Sequence, residues 1–195
     1  MKKIPFLLMC LLGLVPLVIS SCGDDDDEIV NGVSKKYAEW KKLNDDWLLE
    51  QQNRKNSDGT NYFTEVVAPW DRSAKVYMHW YNDRALTEGN AKPYYTSTVD
   101  VKYKGMLYND EPFDSSYQRT TPAVGVFRTK LGDDVIEGWT IALCAMRVGD
   151  SCRVIIPSNV GYGTLSMGEI DPYAVLQFDI KLVGIPKLEL NAPRR

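Results

Sequence analysis

The stretch Val135-Ile136-Glu137-Gly138-Trp139-Thr140-Ile141-Ala142-Leu143-Cys144-Ala145-Met146 decides the fold, because it interrupts a run of strand patterns with one short helix. Ile136, Trp139, Leu143 and Met146 are spaced three, four and three, so they share one helical face. Asp133 and Asp134 precede them, where carboxylates suit a helix N-terminus. Gly149 follows in a turn.

On both sides of this helix the apolar pattern has period two. Val76, Met78 and Trp80 alternate with Tyr77, His79 and Tyr81, and Val99, Val101 and Tyr103 alternate again. Cys152 to Ile156 is a short apolar strand closed by Pro157, and Leu176, Phe178, Ile180 and Leu182 form the last one. The expectation is an α+β fold, an antiparallel β-sheet wrapped around one short α-helix. A further helix precedes the sheet. Ser34 suits its N-cap, Tyr37, Trp40, Leu43 and Trp47 form an aromatic-rich stripe with Leu48 beside it, and Asn56-Ser57-Asp58-Gly59 ends it. That stripe is expected to pack on its own domain; a dimerisation or substrate-gathering face is the other reading.

The amino terminus reads as an export signal. Lys2 and Lys3 precede an apolar stretch from Ile4 to Ile19, with the small residues Ser20-Ser21 behind it. Cys22 follows directly in a setting that resembles the lipobox of bacterial lipoproteins, in which the cysteine thiol is acylated. Such a chain anchors through buried methylenes, at about 0.8 kcal/mol each. The acidic, apolar-poor run Asp24-Asp25-Asp26-Asp27-Glu28 reads as a solvated tether. The resulting division is signal peptide 1–21, tether 22–32, helical extension 33–70, main domain 71–186 and tail 187–195. The net charge of −3 arises largely from the tether, and no basic stripe is present, which argues against nucleic acid as a partner.

Standard catalytic constellations are missing. There is no nucleophile elbow, phosphate loop, zinc helix or dinucleotide fingerprint. The single histidine, His79, lies in a strand pattern and reads as a strand residue rather than a base. Cys144 and Cys152 have no metal-type spacing, and either a disulfide or two small core residues accounts for them. What remains is a set of aromatic and aliphatic residues with a few polar groups, the composition of an apolar pocket.

Val101-Lys102-Tyr103-Lys104-Gly105-Met106-Leu107 followed by Phe113-Asp114-Ser115-Ser116 resembles the opening of FKBP-type peptidyl-prolyl cis-trans isomerases: a strand ending in tyrosine, a Gly-Met/Leu turn and Phe-Asp-Ser-Ser. Val135-Ile136-Glu137-Gly138-Trp139, Met146-Arg147-Val148-Gly149, Ile156-Pro157 and Gly161-Tyr162-Gly163 follow in the family's order, and Pro172 with Leu176 to Leu182 closes the domain. The resemblance implies an FKBP-like fold and a proline pocket formed by Tyr103, Phe113, Asp114, Val135, Ile136, Trp139, Tyr162, Ile170 and Phe178. Trp139 would be its floor, the Ile136 N–H and Tyr162 hydroxyl would hold substrate carbonyls, and Asp114 would orient neighbours such as Tyr103 and Arg119.

The implied reaction is rotation about X–Pro bonds of exported proteins, with no cofactor and no metal. Proline-containing polypeptides and macrolide immunosuppressant-type ligands are the implied partners, and the membrane is reached through the lipid anchor. The implied location is the cell envelope, as an outer membrane lipoprotein, periplasmic or surface-exposed. The alternative is a non-catalytic proline-binding module or chaperone. Two departures from the family pattern bear on the pocket. The segment between Pro122 and Val135 is longer, with Ala123-Val124-Gly125-Val126-Phe127 where an aromatic pair is expected, and the segment from Tyr162 to Pro172 is shorter and lacks a histidine.

Overall fold

Alternating side chains put every second residue of each strand into one apolar layer, and the computed structural model, which describes residues 29, 30 and 32–186, joins those strands edge to edge. A two-stranded hairpin, β1 (Ile29–Val30) and β2 (Val33–Ser34), leads into helix α1 (Lys35–Asn53). The main sheet follows with β3 (Thr64–Val67), β4 (Lys75–Trp80), β5 (Thr98–Leu107), β6 (Pro112–Ser115), β7 (Phe127–Lys130), β8 (Ser151–Ile156) and β9 (Leu176–Gly184). Its order is β3-β4-β8-β9-β5-β6, with β7 also on β5, and all its pairings are antiparallel. β5 is the seam. β9 runs along one side of it, while β6 and β7 share the other.

Helix α2 (Glu137–Ala145) crosses the sheet, and Gly138 to Leu143 are all buried. Gly138 makes that approach possible. A Cβ there would stand 2.4 Å from Ile156 Cγ2, well inside van der Waals contact. The fold is α+β, an antiparallel sheet with two helices, as the sequence patterns lead one to expect.

Several details differ from the sequence expectations, each for a local reason. Asp133 and Asp134 precede α2 as expected, but neither caps it: the helix begins at Glu137 with Ile136 as N-cap and no side-chain capping bond. They belong to the preceding turn, where Asp133 pairs with the Lys130 ammonium and Asp134 accepts from the Lys130 N–H. Gly105-Met106-Leu107 is not a turn. β5 continues through it, with a register shift between Gly105 and Met106 against β6. Within the segment read as a helical extension, β3 pairs with β4, so the sheet begins before residue 71. The end of the acidic tether forms β1, because Ile29-Val30 can pair with Val33-Ser34 across the positive-φ Gly32. Cys144 and Cys152 are both free; Cys152 is buried with its Sγ 3.9 Å from Met146 Sδ. The signal segment, Cys22 and the 187–195 tail lie outside the described residues.

α1 docks on its own domain through a face shifted from the expected stripe. Trp40, Asn44, Trp47 and Gln51 recur at four, three and four, whereas Leu43, about 100° away, stays 45% exposed. Ser34 occupies the N-cap position, but its side chain makes no capping bond. The Trp40 and Trp47 rings meet Tyr108 edge-on, and Trp47 and Leu48 pack on Phe63, Tyr77, Ile155 and Val175. Asn44 is fully buried because its amide satisfies two main-chain groups. It accepts from Val175 N at 2.8 Å and donates to Trp40 O at 2.9 Å. Trp40 Nε1 donates to Pro172 O at 3.0 Å.

Asn44→Ala leaves the Val175 N–H buried without its acceptor, so it is expected to lower stability by about 1–3 kcal/mol. Urea denaturation checks this, and an unchanged midpoint would show that the helix docks without stabilising the domain.

Candidate active site

A cavity of about 480 Å³ opens between the N-terminus of α2 and strands β5, β6 and β9. Its floor is the Trp139 indole, only 4% exposed, which α2 presents one turn inside its N-terminus. Aromatic rings stand edge-on around it. Tyr103 is 4.8 Å away at 84°, Phe178 5.2 Å at 89° and Phe127 6.3 Å at 75°, centroid to centroid. Phe113 continues the wall, meeting Phe178 at 5.5 Å and 90°. Edge-to-face pairs of this kind suit the ring quadrupoles.

Gly105 sets the spacing of that wall. Opposite Phe178 on β9 and Asp114 on β6, a Cβ at position 105 would fall 2.7 Å from Phe178 Cε1 and 2.8 Å from Phe113 Cε2. The two rings occupy the space a side chain would take. Ser116, fully buried, joins the next layer: it accepts from the Tyr103 N–H and donates to Gly125 O, tying the loop after β6 to β5. This accounts for the second serine of Phe-Asp-Ser-Ser without any nucleophilic role.

The polar groups are few. The Tyr103 hydroxyl donates to Asp114 Oδ2, while Asp114 Oδ1 accepts from the Ser115 N–H at 2.7 Å. Burial, and then the Asp114 carboxylate, push the Tyr103 phenol up to about 12. Burial and the charge of Asp114 likewise raise Tyr162 above the usual tyrosine range. Both phenols therefore stay protonated donors at neutral pH. Two donors at the cavity have no acceptor among the described residues: the half-buried Tyr162 hydroxyl and the Ile136 main-chain N–H at the N-cap of α2.

Eight of the nine residues expected from the sequence line this one cavity: Tyr103, Phe113, Asp114, Val135, Ile136, Trp139, Tyr162 and Phe178. Ile170 is buried just beyond, lining an adjoining hollow that shares Phe113, Asp114, Tyr162 and Met167 with the first. Phe127, left open in the sequence, is part of the cavity wall with the Arg119 guanidinium 4.5 Å over its ring. Met167, Asp133 and Asp134 were not anticipated there. Met167 could have been found only from the loop fold, in which it and Ile170 exchange main-chain hydrogen bonds. His79 stacks on Tyr62 at 3.9 Å and 7°, with Nδ1 2.9 Å from Tyr62 O, and does not line the cavity.

Residues 89–183 match the family model described as FKBP-type peptidyl-prolyl cis-trans isomerase. The chain is 41% identical over 108 residues to FK506-binding protein 2 of Emericella nidulans, covering 53% of this chain and 77% of that protein. It is 38% identical over 103 residues to the FKBP-type peptidyl-prolyl cis-trans isomerase FkpA of Buchnera aphidicola, covering 53% of this chain and 39% of the relative. The chain spans half or less of the length of the first curated relatives it matches. Among solved structures, the crystal structure of a peptidyl-prolyl cis-trans isomerase from Pseudomonas syringae superposes with a TM-score of 0.58 at 27% identity, over 76% of this chain and 95% of that one. With its motifs in the family's order and their aromatic residues gathered around one cavity, the chain belongs to the FKBP-type peptidyl-prolyl cis-trans isomerase family.

Proposed function

We propose that this chain is a peptidyl-prolyl cis-trans isomerase that turns X–Pro bonds in exported polypeptides, with Tyr103, Phe113, Asp114, Val135, Ile136, Trp139, Tyr162, Ile170 and Phe178 as its site. One observation carries the reading: a buried indole floor, walled edge-on by aromatic rings, beside two hydrogen-bond donors that no described residue uses. A proline ring is flat and apolar enough to rest on Trp139 between those walls. The carbonyls flanking it would accept from the Ile136 N–H and the Tyr162 hydroxyl.

The chemistry asks for nothing else. Amide resonance sets a barrier of about 18–20 kcal/mol, and rotation breaks no covalent bond. The planar amide carries a charge separation that the twisted one loses. Apolar walls that strip water from the planar form therefore favour the twisted form, and hydrogen bonds aimed at the rotated carbonyl add to that preference. Asp114 accepts from the Tyr103 hydroxyl, which holds that ring perpendicular to Trp139.

Macrolide immunosuppressant-type ligands would compete for the same floor. Acylation of Cys22 would hold the domain at the cell envelope as an outer membrane lipoprotein, periplasmic or surface-exposed. Among the described residues no helix is long and apolar enough to cross a membrane.

The direct test is exchange of a proline tetrapeptide, followed by NMR, on the protein lacking its first 28 residues. Acceleration is expected, with a tenfold or smaller loss of kcat/KM in Tyr162→Phe, because one neutral hydrogen bond contributes about 0.5–1.5 kcal/mol. A folded protein that binds the peptide without accelerating exchange would leave a proline-binding module instead.

The rate is expected to be flat between about pH 6 and 8, since no histidine lines the cavity and both phenols hold their protons. A bell-shaped profile near neutrality, or inhibition by a chelator, would point to another reaction class. Stability has its own alkaline limit. Tyr103 keeps its proton to about 12 when folded but gives it up near 10 when unfolded, so its contribution is complete below pH 10 and lost as pH rises through 12. Guanidinium denaturation from pH 9 to 12 measures that loss.

Finally, Cys22→Ala is expected to move the full-length protein from the membrane to the soluble fraction and to change its mature mass. Unchanged fractionation and mass would remove the lipid anchor from this account.

A further inference from the structure

Beside the cavity lies an exposed aromatic pair that the isomerase motifs do not contain. Trp70, in the loop between β3 and β4, is 40% exposed, and Tyr95, ahead of β5, is 46% exposed. Their rings meet edge-on at 4.9 Å and 82°. Trp70 lies outside the residues that match the family model.

Both rings are fastened to the segment that forms the cavity wall. The Trp70 indole N–H donates to Glu137 Oε1 at 2.9 Å, one residue past Ile136. The Tyr95 ring lies against Gly132, where a Cβ would fall 2.4 Å from Cε1, and the next two residues, Asp133 and Asp134, line the cavity. Gly132 also has φ +81°, so a glycine suits this position on both counts. The backbone under Tyr95 is held too: Ser97 N donates to Tyr94 O, Tyr94 N donates to Ser97 Oγ, and Leu131 N donates to Ser97 O.

The same wall is acidic. Asp133, Asp134 and Glu137 lie within five consecutive residues, and the Lys130 ammonium pairs with Asp133. Of the charged groups that line the cavity itself, Asp133 and Asp134 are joined by Asp114 and Arg119, the latter occupied over Phe127, and Glu137 lies just outside this lining. Aromatic faces beside carboxylates attract cations and, by their flatness, apolar side-chain stems.

We propose that Trp70, Tyr95 and Glu137 form a subsite that extends the proline cavity and takes a lysine or arginine side chain of the bound polypeptide, two or three residues from the proline. This deepens the isomerase reading and rests on it for the placement of the proline. An extended chain advances about 3.3 Å per residue, so a side chain two or three positions away reaches past Ile136 to Glu137 and the Trp70 ring. The cationic head would meet the carboxylates and its stem the indole. A glutamate at the same position would meet like charge.

The test uses proline hexapeptides with Lys, Ala or Glu two and three residues to either side of the proline, comparing Kd by fluorescence anisotropy and kcat/KM by NMR exchange. Lys is expected to exceed Ala, and Ala to exceed Glu, on one side of the proline, with about a threefold Lys-over-Ala ratio, the scale of an exposed cation–π contact. Raising the salt to 0.5 M should shrink the ratio. Trp70→Ala removes the aromatic face, and Glu137→Gln removes the charge while keeping an oxygen acceptor for the indole; each should bring the ratio toward one. Equal values for all peptides, or a Lys preference that survives both variants, would overturn the subsite. A Lys preference in Kd with no turnover would sustain the subsite and defeat the isomerase reading. No binding of any peptide would defeat both.

Discussion

Two missing side chains govern how closely the layers of this protein approach one another. At Gly138 the helix comes so near β8 that a methyl group would overlap Ile156, itself fully buried. At Gly105 the rings of Phe113 and Phe178 fill the volume above β5 that a side chain would claim. The first contact sets the depth of Trp139, and the second sets the distance of the wall from it. Interiors are close-packed and yield little, so a floor and wall fixed this way set the shape of the cavity.

The close approach also explains which parts were legible beforehand. The motif residues are aromatic or glycine at positions where few other residues fit, so their identity carries positional information, and eight of nine line one cavity. α2 was found from its spacing, although Gly138 to Leu143 are buried all round and the spacing alone undersells that burial. Phe127 lay beyond a lengthened loop, and sequence offered no measure of how that loop returns. The return is set by Ser116, whose hydroxyl bonds Gly125 O from a fully buried position.

The misread details share a cause. Asparagine is usually exposed, yet Asn44 is the most buried polar residue of α1, with main-chain partners at positions 40 and 175. Leu43 was counted with the apolar face and lies in solvent. A single helix cannot reveal that a distant N–H lacks an acceptor, and that lack chooses the buried face here. Tyr77 shows the same effect in a strand. It alternates with Val76 and Met78 along β4, yet all three are buried, because α1 and Phe63 cover the Tyr77 side as well.

The consequence for the site is a division of labour between local and distant parts of the chain. The floor and rings are residues of β5, β6, β7, β9 and α2, and Tyr103, Phe113, Phe127, Trp139 and Phe178 all lie within the family-matched residues. The loop from Gly163 to Asp171, which carries Met167 to the cavity, is closed at its base by Tyr173 N donating to Gly163 O. That base is held from outside the matched region, by Trp40 on Pro172 O and Asn44 on Val175 N. α1 therefore grips Pro172 and Val175 on either side of Tyr173, whose positive φ lets the chain turn between them. The loop beside Tyr162 thus depends for its footing on a helix more than a hundred residues earlier, while Trp70, also outside the matched residues, bonds Glu137 at the start of α2. The residues matched by the family line the cavity, and residues that precede them hold the loop after Gly163 and the first turn of α2 against the rest of the fold.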